Sequence, residues 1–449
     1  MPSRTAGRSE TPVAELVGSL SIEQLREVVS AAADRHDDVE RAVRLVAARA
    51  SGDLGVVRAE VDRGLRTRRF LGYREGIEWA RAARPIVAEL EAAVSTAPSR
   101  ELVELLQRAV GHVVKVIHQR ADDSSGVIGA LARELLALHA RACDAGVADP
   151  VKLAGWMIRF RFTDQDFFEV DPVRYAAALG DAGLAAYRNA VAEREHEDSF
   201  AARHARERLA VLDRDTDTIV KLLGGDLTLP HQFVRVAEAM AELGRDDDVL
   251  AWTARGIAQT SGWQTAKLYD LACAVHAKRS EPVEVLRLRR TQHERMPSLS
   301  TYTTLRRAAN DIGAWKVERD AARAALGAHD LGALVDALLN DGDAELAWQT
   351  ATADASWDPG PERWLRLADA RVADYPADSL GVYLRVVDEV LQTTDRRAYA
   401  TAVKILKRAR AAAAAANQLP AFDQHIAQLR EQHRRRPTLI AMLDKASLG

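Results

Sequence analysis

"AEAMAELGRDDDVLAWTARGIAQ", residues 237–259, and "VDALLNDGDAELAWQTATAD", residues 335–354, decide the fold. Each runs from an Ala- and Leu-rich helical stretch, through a turn marked by Gly and Asp, into a second helical stretch carrying Leu-Ala-Trp. One helical hairpin met twice in a chain is the mark of a repeat architecture, in which each unit buries its apolar face against its neighbours. Turn positions recur near Gly244, Arg279, Gly313, Gly342 and Pro376, about 29 to 35 residues apart, close to the tetratricopeptide period of about 34. The full tetratricopeptide consensus is not met. Six of the eight Trp (Trp252, Trp263, Trp315, Trp348, Trp357, Trp364) fall in this half and are expected as large fillers between small-residue helices.

Composition extends that reading to the whole chain. The 449 residues are 47% hydrophobic and 28% charged, ordinary for a soluble globular protein, but only 5% aromatic. Ala, Leu, Arg, Val, Asp and Glu supply much of the rest, β-branched and aromatic runs are scarce, and only 14 Pro and 26 Gly interrupt the chain. The fold class expected is all-α: degenerate tetratricopeptide- or HEAT-like hairpins preceded by an N-terminal helical domain. Two cysteines, Cys143 and Cys273, make no disulfide framework. With no apolar signal stretch at the start and no membrane-length apolar run, a cytoplasmic location is expected.

Four segments follow. Residues 1–20 read as a disordered start, 21–148 as the N-terminal helical domain, 149–230 as a central helical block, and 231–449 as the repeats with basic C-terminal helices. Ser21 and Gln24 can form a capping box, after which Ile22, Leu25, Val28 and Val29 recur at helical spacing. Further helices are expected near 38–50, 53–69, 73–95 (kinked at Pro85), 99–119, 124–145 and 150–161. A helix capped by Asp171 with Pro172 in its first turn follows, with Gly180 and Gly183 marking a turn or close crossing. One long charged helix is expected over 186–223, with 224–230 as linker.

Chemistry is sparse. His196-Glu197 opens an H-E-x-x-H pattern, but Phe200 stands where the second His belongs. His204 can share a helix face with His196, yet the ligands do not add up to a metal site, and no metal or cofactor is expected. No phosphate loop or nucleophile elbow is present. The triplet Asp246, Asp247, Asp248 reads as first-turn helix charge. "RFRFTDQDFF", 159–168, holds four of the eight Phe. Its Arg159 and Arg161 can grip a phosphate or stack on a base. Alternatively, Phe160, Phe167 and Phe168 plug a joint between helical blocks, with Arg159, Arg161, Asp164 and Asp166 as capping or salt-bridging groups. The joint reading is preferred, and those three rings are then expected to be buried.

Charge is uneven. Net charge is −3, yet residues 396–436 hold ten Lys/Arg against Asp423 and Glu431, which leaves −11 for the remainder. Lys404, Lys407, Arg408, Arg430, Arg434, Arg435 and Arg436 are the candidates for contact with an acidic partner, alongside Arg159 and Arg161.

"FFEVDPVRYAAALGDAGLAAYR" (167–188) and "LREQHRRRPTLIAMLDK" (429–445) resemble the helical region that follows the SWIM zinc finger in many actinobacterial proteins. That likeness spans nearly the whole chain. The finger itself needs C-x-C followed by C-x-H, which neither Cys143 nor Cys273 can supply, so a DNA-binding role tied to the finger does not transfer. The family brings no catalytic residues. The function expected is a non-enzymatic scaffold holding a partner protein or peptide in a groove of the repeats. The alternatives are a nucleic-acid-associated protein using the basic C-terminal patch, and a helical-repeat enzyme acting on nucleic acid with Asp164 or Asp166.

Overall fold

The structure, a computed structural model, describes residues 13–51, 53–162 and 167–448. Asp164 and Asp166 lie outside the described residues. The described chain is helical throughout, and its strand-like feature is an isolated bridge between Leu71 and Ala121. No helix among the described residues is long and apolar enough to cross a membrane. The chain divides into two compact units between Leu223 and Gly224.

The first unit holds α1 (Val13–Ser19), α2 (Ile22–Ala33), α3 (Asp37–Ser51), α4 (Leu54–Gly64), α5 (Tyr73–Thr96), α6 (Arg100–Arg120), α7 (Val127–Asp144), α8 (Pro150–Arg161), α9 (Ala176–Ala192), α10 (Phe200–Leu212) and α11, Thr216–Gly224, which ends at the boundary. The capping box at Ser21 is present: Gln24 N donates to Ser21 Oγ (3.2 Å), and Ser21 N donates to Gln24 Oε1 (2.9 Å). The stripe on α6 behaves as its spacing demands, with Leu102, Leu105, Leu106, Val110 and Val113 all buried. One apolar core runs from Leu45 to Ala205 and draws on α3 to α10. Helix α5 runs through Pro85 without ending.

Three local expectations are corrected here. The long charged helix over 186–223 is three helices, because Ser199 caps a new start by accepting from Ala202 N (3.2 Å) and Arg214 turns left-handed after α10. His196 therefore precedes α10 while His204 lies within it, so they share no helix face; His204 instead pairs with Glu169 at 3.1 Å. Asp171 is not the cap of α9, which starts at Ala176; its carboxylate accepts from Arg208 Nε at 3.0 Å and Nη2 at 2.6 Å. The two glycines do what their spacing implied. Gly180 breaks α9 with φ of 51°, and Gly183 crosses α8 so closely that a Cβ there would stand 2.7 Å from the Pro150 carbonyl oxygen.

The second unit is a run of hairpins: α12 (Pro230–Glu242) with α13 (Asp246–Gln259), α14 (Ala266–Lys278) with α15 (Pro282–Arg295), and α16 (Leu299–Asp311) with α17 (Trp315–His329). It continues as α18 (Leu331–Asn340) with α19 (Ala344–Thr352), α20 (Pro361–Arg371) with α21 (Pro376–Val390), and α22 (Arg396–Ala415) with α23 (Leu419–Gln432), closed by α24 (Pro437–Lys445). From α12 to α23 each helix packs on the next, α24 packs on α22, and the first helices of several neighbours also meet, α12 on α14, α16 on α18 and α18 on α20. That is the contact pattern of a helical-hairpin repeat.

The hairpins share one turn. After α12, α14, α16 and α18 a single residue goes left-handed (Gly244, Ser280, Gly313, Gly342). The amide that follows each of them folds back to a carbonyl five residues earlier, as in Arg245 N to Met240 O (2.9 Å) and Ala314 N to Ala309 O (2.7 Å). Asn417 closes α22 in the same way, through Gln418 N to Ala413 O (2.8 Å). The turn near Pro376 differs, with Val372 remaining right-handed after α20.

Fillers and charges then join the hairpins. Phe233, Tyr269, Tyr302, Tyr383 and Phe422 are fully buried, and each contributes about 2 kcal/mol by leaving water. Of the six Trp expected as fillers, Trp315, Trp348, Trp357 and Trp364 pack half-buried against the hairpin cores and Trp252 lies half-buried beside Phe233, whereas Trp263 is 81% exposed. Salt bridges cross between hairpins. Lys278 meets Asp246 and Arg279 meets Asp247, both at 2.7 Å, while Arg290 grips Glu318 at 2.6 Å. Arg306 and Arg323 share the buried Asp341 at 2.5 and 2.9 Å, and Arg363 and Arg366 share Asp336 at 3.1 and 2.6 Å.

Candidate interaction surface

Helix α22 has two faces of opposite character. Asp395 caps it, accepting from Ala398 N at 2.7 Å. Tyr399, Ala402, Val403, Leu406 and Ala409 bury one face against its neighbours. Arg396, Arg397, Lys404, Lys407 and Arg408 are exposed on the other, and the helix itself carries no carboxylate. At 3.6 residues per turn these cations fall on a single stripe.

The candidate cations divide by what they already hold. Arg408 pairs with Asp369 at 3.0 Å. Arg430 donates to Asp444 (2.5 Å) and to the Leu448 carbonyl (3.1 Å), and Arg434 pairs with Glu431. Arg436 Nη1 donates to the Leu391 carbonyl at 2.6 Å, which pins the α23–α24 connection beside the turn that leads into α22. Arg410 caps a carbonyl too, that of Ser447, at 3.0 Å. Arg396, Arg397, Lys404, Lys407 and Arg435 have no acceptor among the described residues. Arg435 stands one residue before the pinned Arg436, and so at the same end of the hairpin as Arg396 and Arg397. The expectation that the two basic segments share a surface is thereby given a specific contact, although Arg430 and Arg436 serve the fold.

Arg159 and Arg161 do not act together. Arg159 is exposed and lines a cleft of about 350 Å³ between α6 and α8, with Arg100, Glu104, Gln107, Asp149 and Lys152. Arg161 is buried, its guanidinium 5.4 Å from the Phe200 ring centre, and its Nε and Nη2 have no hydrogen-bond partner. Of the three Phe expected inside, Phe160 and Phe168 are buried but Phe167 is 73% exposed, its ring lying 5.6 Å from that of His118. Phe167 lies in a bend, and its ring points to solvent while that of Phe168 enters the core.

Several reactive groups escaped the sequence reading. His139 and Cys143, four residues apart on α7, meet with Sγ 3.8 Å from Nε2. The Gln107 amide donates to His139 Nε2 (3.2 Å), so Nδ1 holds the ring proton and donates to Tyr175 Oη (2.8 Å). Burial pushes the His139 pKa down to about 3 and the Cys143 thiol up to about 12. Both are then neutral near pH 7, and the thiol is not a nucleophile. On α4, the Arg108 guanidinium bonded to Asp62 holds that carboxyl down at about 2, with His112 adding to the effect. Arg371 is buried between Trp348 and Tyr375, 4.5 and 3.9 Å from their ring centres, and pairs with Glu345 at 3.0 Å. The i, i+4 spacing of His139 and Cys143 was a readable signal; Arg371 had none. No group of three or more His, Cys, Asp or Glu among the described residues is placed to hold a metal ion.

Comparison with known proteins adds little to this geometry. No family model matches the chain, and no curated protein matches it significantly. Among solved structures it is similar to a circular tandem repeat protein described as having novel repeat topology and enhanced subunit contact surfaces. The match has 14% identity, covers 91% of this chain and 94% of that one, and has a TM-score of 0.20. The helical-hairpin description therefore rests on the contacts within this chain.

Proposed function

We propose that the protein is a helical-repeat scaffold that works by binding, and that its partner is a protein or peptide with an acidic face that docks on α22. One observation carries the reading. Through the hairpins the cations largely meet carboxylates of neighbouring helices, whereas five along α22 and its adjoining turn meet none. Cations left in water cost the fold nothing, and they steer an oppositely charged surface into register.

The test is capture of partners from the native host with wild-type protein and with a Lys404→Glu, Lys407→Glu, Arg435→Glu variant. The reading expects a protein that survives nuclease treatment and is lost with the variant. Retention by the variant would sink it. A second reading is nucleic-acid binding, favoured by the lack of any carboxylate on the α22 stripe. If all five cations neutralise phosphates of duplex DNA, log K should fall with log salt at a slope of about −4.5. Capture abolished by nuclease, with that slope, selects this reading over the first.

A further inference from the structure

The N-terminal helices carry an apolar surface that the chain leaves in water. Helix α2 has no buried residue, and Ile22, Val28 and Val29 are 69%, 56% and 41% exposed. On α1, Leu16 and Val17 are about half exposed, at 51% and 48%. Helix α3 attaches to the core by Leu45 and Ala48, both buried, while Val43 and Val46 lie roughly 100° or more around the helix from Leu45 and remain exposed. A helix of twelve residues is marginal without packing, and α2 packs on α3 with Leu25 and Ala31 to Ala33 only half-buried, so its amphipathic face is incompletely covered.

We infer that this face is a homodimer interface, and that its cover is the same face of a second copy. The area supports that occupant. Seven largely exposed aliphatic side chains on three consecutive helices, of which α2 and α3 pack together, present in total on the order of 600 Å² of apolar surface, at the upper end of what monomers leave uncovered. A stable dimer buries about 800 Å² per partner, about 65% of it apolar in homodimers, or roughly 500 Å². The margin of α2 carries both signs, Glu23 and Glu27 with Arg26, and Arg44 on α3 pairs with Glu40. A two-fold meeting can match these charges without a like-charged block.

The experiment is sedimentation equilibrium of the full chain over about 1 to 100 µM, a range spanning micromolar affinity. The expected result is a monomer–dimer equilibrium. Val29→Asp on α2 and Val46→Asp on α3 should each raise the dissociation constant about 30-fold or more, as for a charge at an interface centre. Both side chains already contact water in the monomer, so unchanged far-UV circular dichroism serves as the folding control. The Lys404→Glu, Lys407→Glu, Arg435→Glu variant should still dimerise, which keeps this inference separate from the docking role of α22. A monomer across the range, a dimer indifferent to both aspartates, or growth beyond a dimer would each overturn it.

Discussion

Replacing Gly313 by Ala should cost about 1 kcal/mol, and the cost should be entirely one of backbone conformation. Gly313 ends α16 at φ of 72°, and a Cβ built there meets nothing within 4 Å. No clash or lost contact enters, which isolates the left-handed penalty of about 1–2 kcal/mol for a residue with a Cβ. The smaller freedom of Ala in the unfolded chain returns about 0.4–1 kcal/mol of that. The mirror experiment is Ser280→Gly, because Ser280 occupies the equivalent place after α14 at φ of 59°. There the strain is removed and the unfolded chain gains freedom, for a net stabilisation of about 0.5 kcal/mol. Urea unfolding followed by Trp fluorescence and circular dichroism reads both. With a slope of about 2 kcal/mol/M, the midpoint should fall by about 0.5 M for Gly313→Ala and rise by about 0.2 M for Ser280→Gly. If the two substitutions move the midpoint in the same direction, or Gly313→Ala moves it not at all, the shared left-handed turn is not what closes these hairpins.

Neighbouring phenylalanines give a second contrast: Phe168→Ala should destabilise by about 3–5 kcal/mol and Phe167→Ala by less than about 0.5, read as shifts in thermal midpoint. Asp62 has its folded pKa depressed to about 2, so its contribution is present above the unfolded carboxylate value and lost as pH falls toward 2. The stability gap between wild type and Asp62→Asn should thus shrink as pH falls below about 4, measured by urea unfolding at each pH. Cys143 and Cys273 are buried with raised pKa, and both should react with a thiol reagent only after unfolding. Fast labelling of Cys143 in the native protein would contradict the position given for α7.

The hairpins were legible because their turns are written locally. Gly244, Gly313 and Gly342 supply left-handed residues where the helical pattern stops, and Asp246 follows as first-turn charge. Ser280 obeys the same geometry with no glycine to announce it, and the sequence placed that turn at Arg279, one residue away. Less legible was anything set by what a side chain faces. Phe167 and Phe168 look alike in sequence, yet one is exposed and the other buried. The break of 186–223 hung on Ser199 as a cap within a run of helix formers. Candidate cations suffered most: Arg408, Arg430 and Arg436 read as free charges, yet each is held by an acceptor at least 14 residues away in the chain, beyond the reach of local patterning. Arg159 and Arg161, two residues apart, were read as a pair and are parted by helix rotation.

The bridges between hairpins have a bearing on how such a chain can change. Each junction uses its own pairing: two basic groups on two aspartates at the first, one arginine on Glu318 at the next, then two arginines on Asp341, then two on Asp336. A hairpin moved, duplicated or deleted would therefore strand a carboxylate or a guanidinium, in the worst case the buried Asp341. The units look alike in outline but carry addresses, and the order of the hairpins is written in those charges as firmly as in the length of the chain.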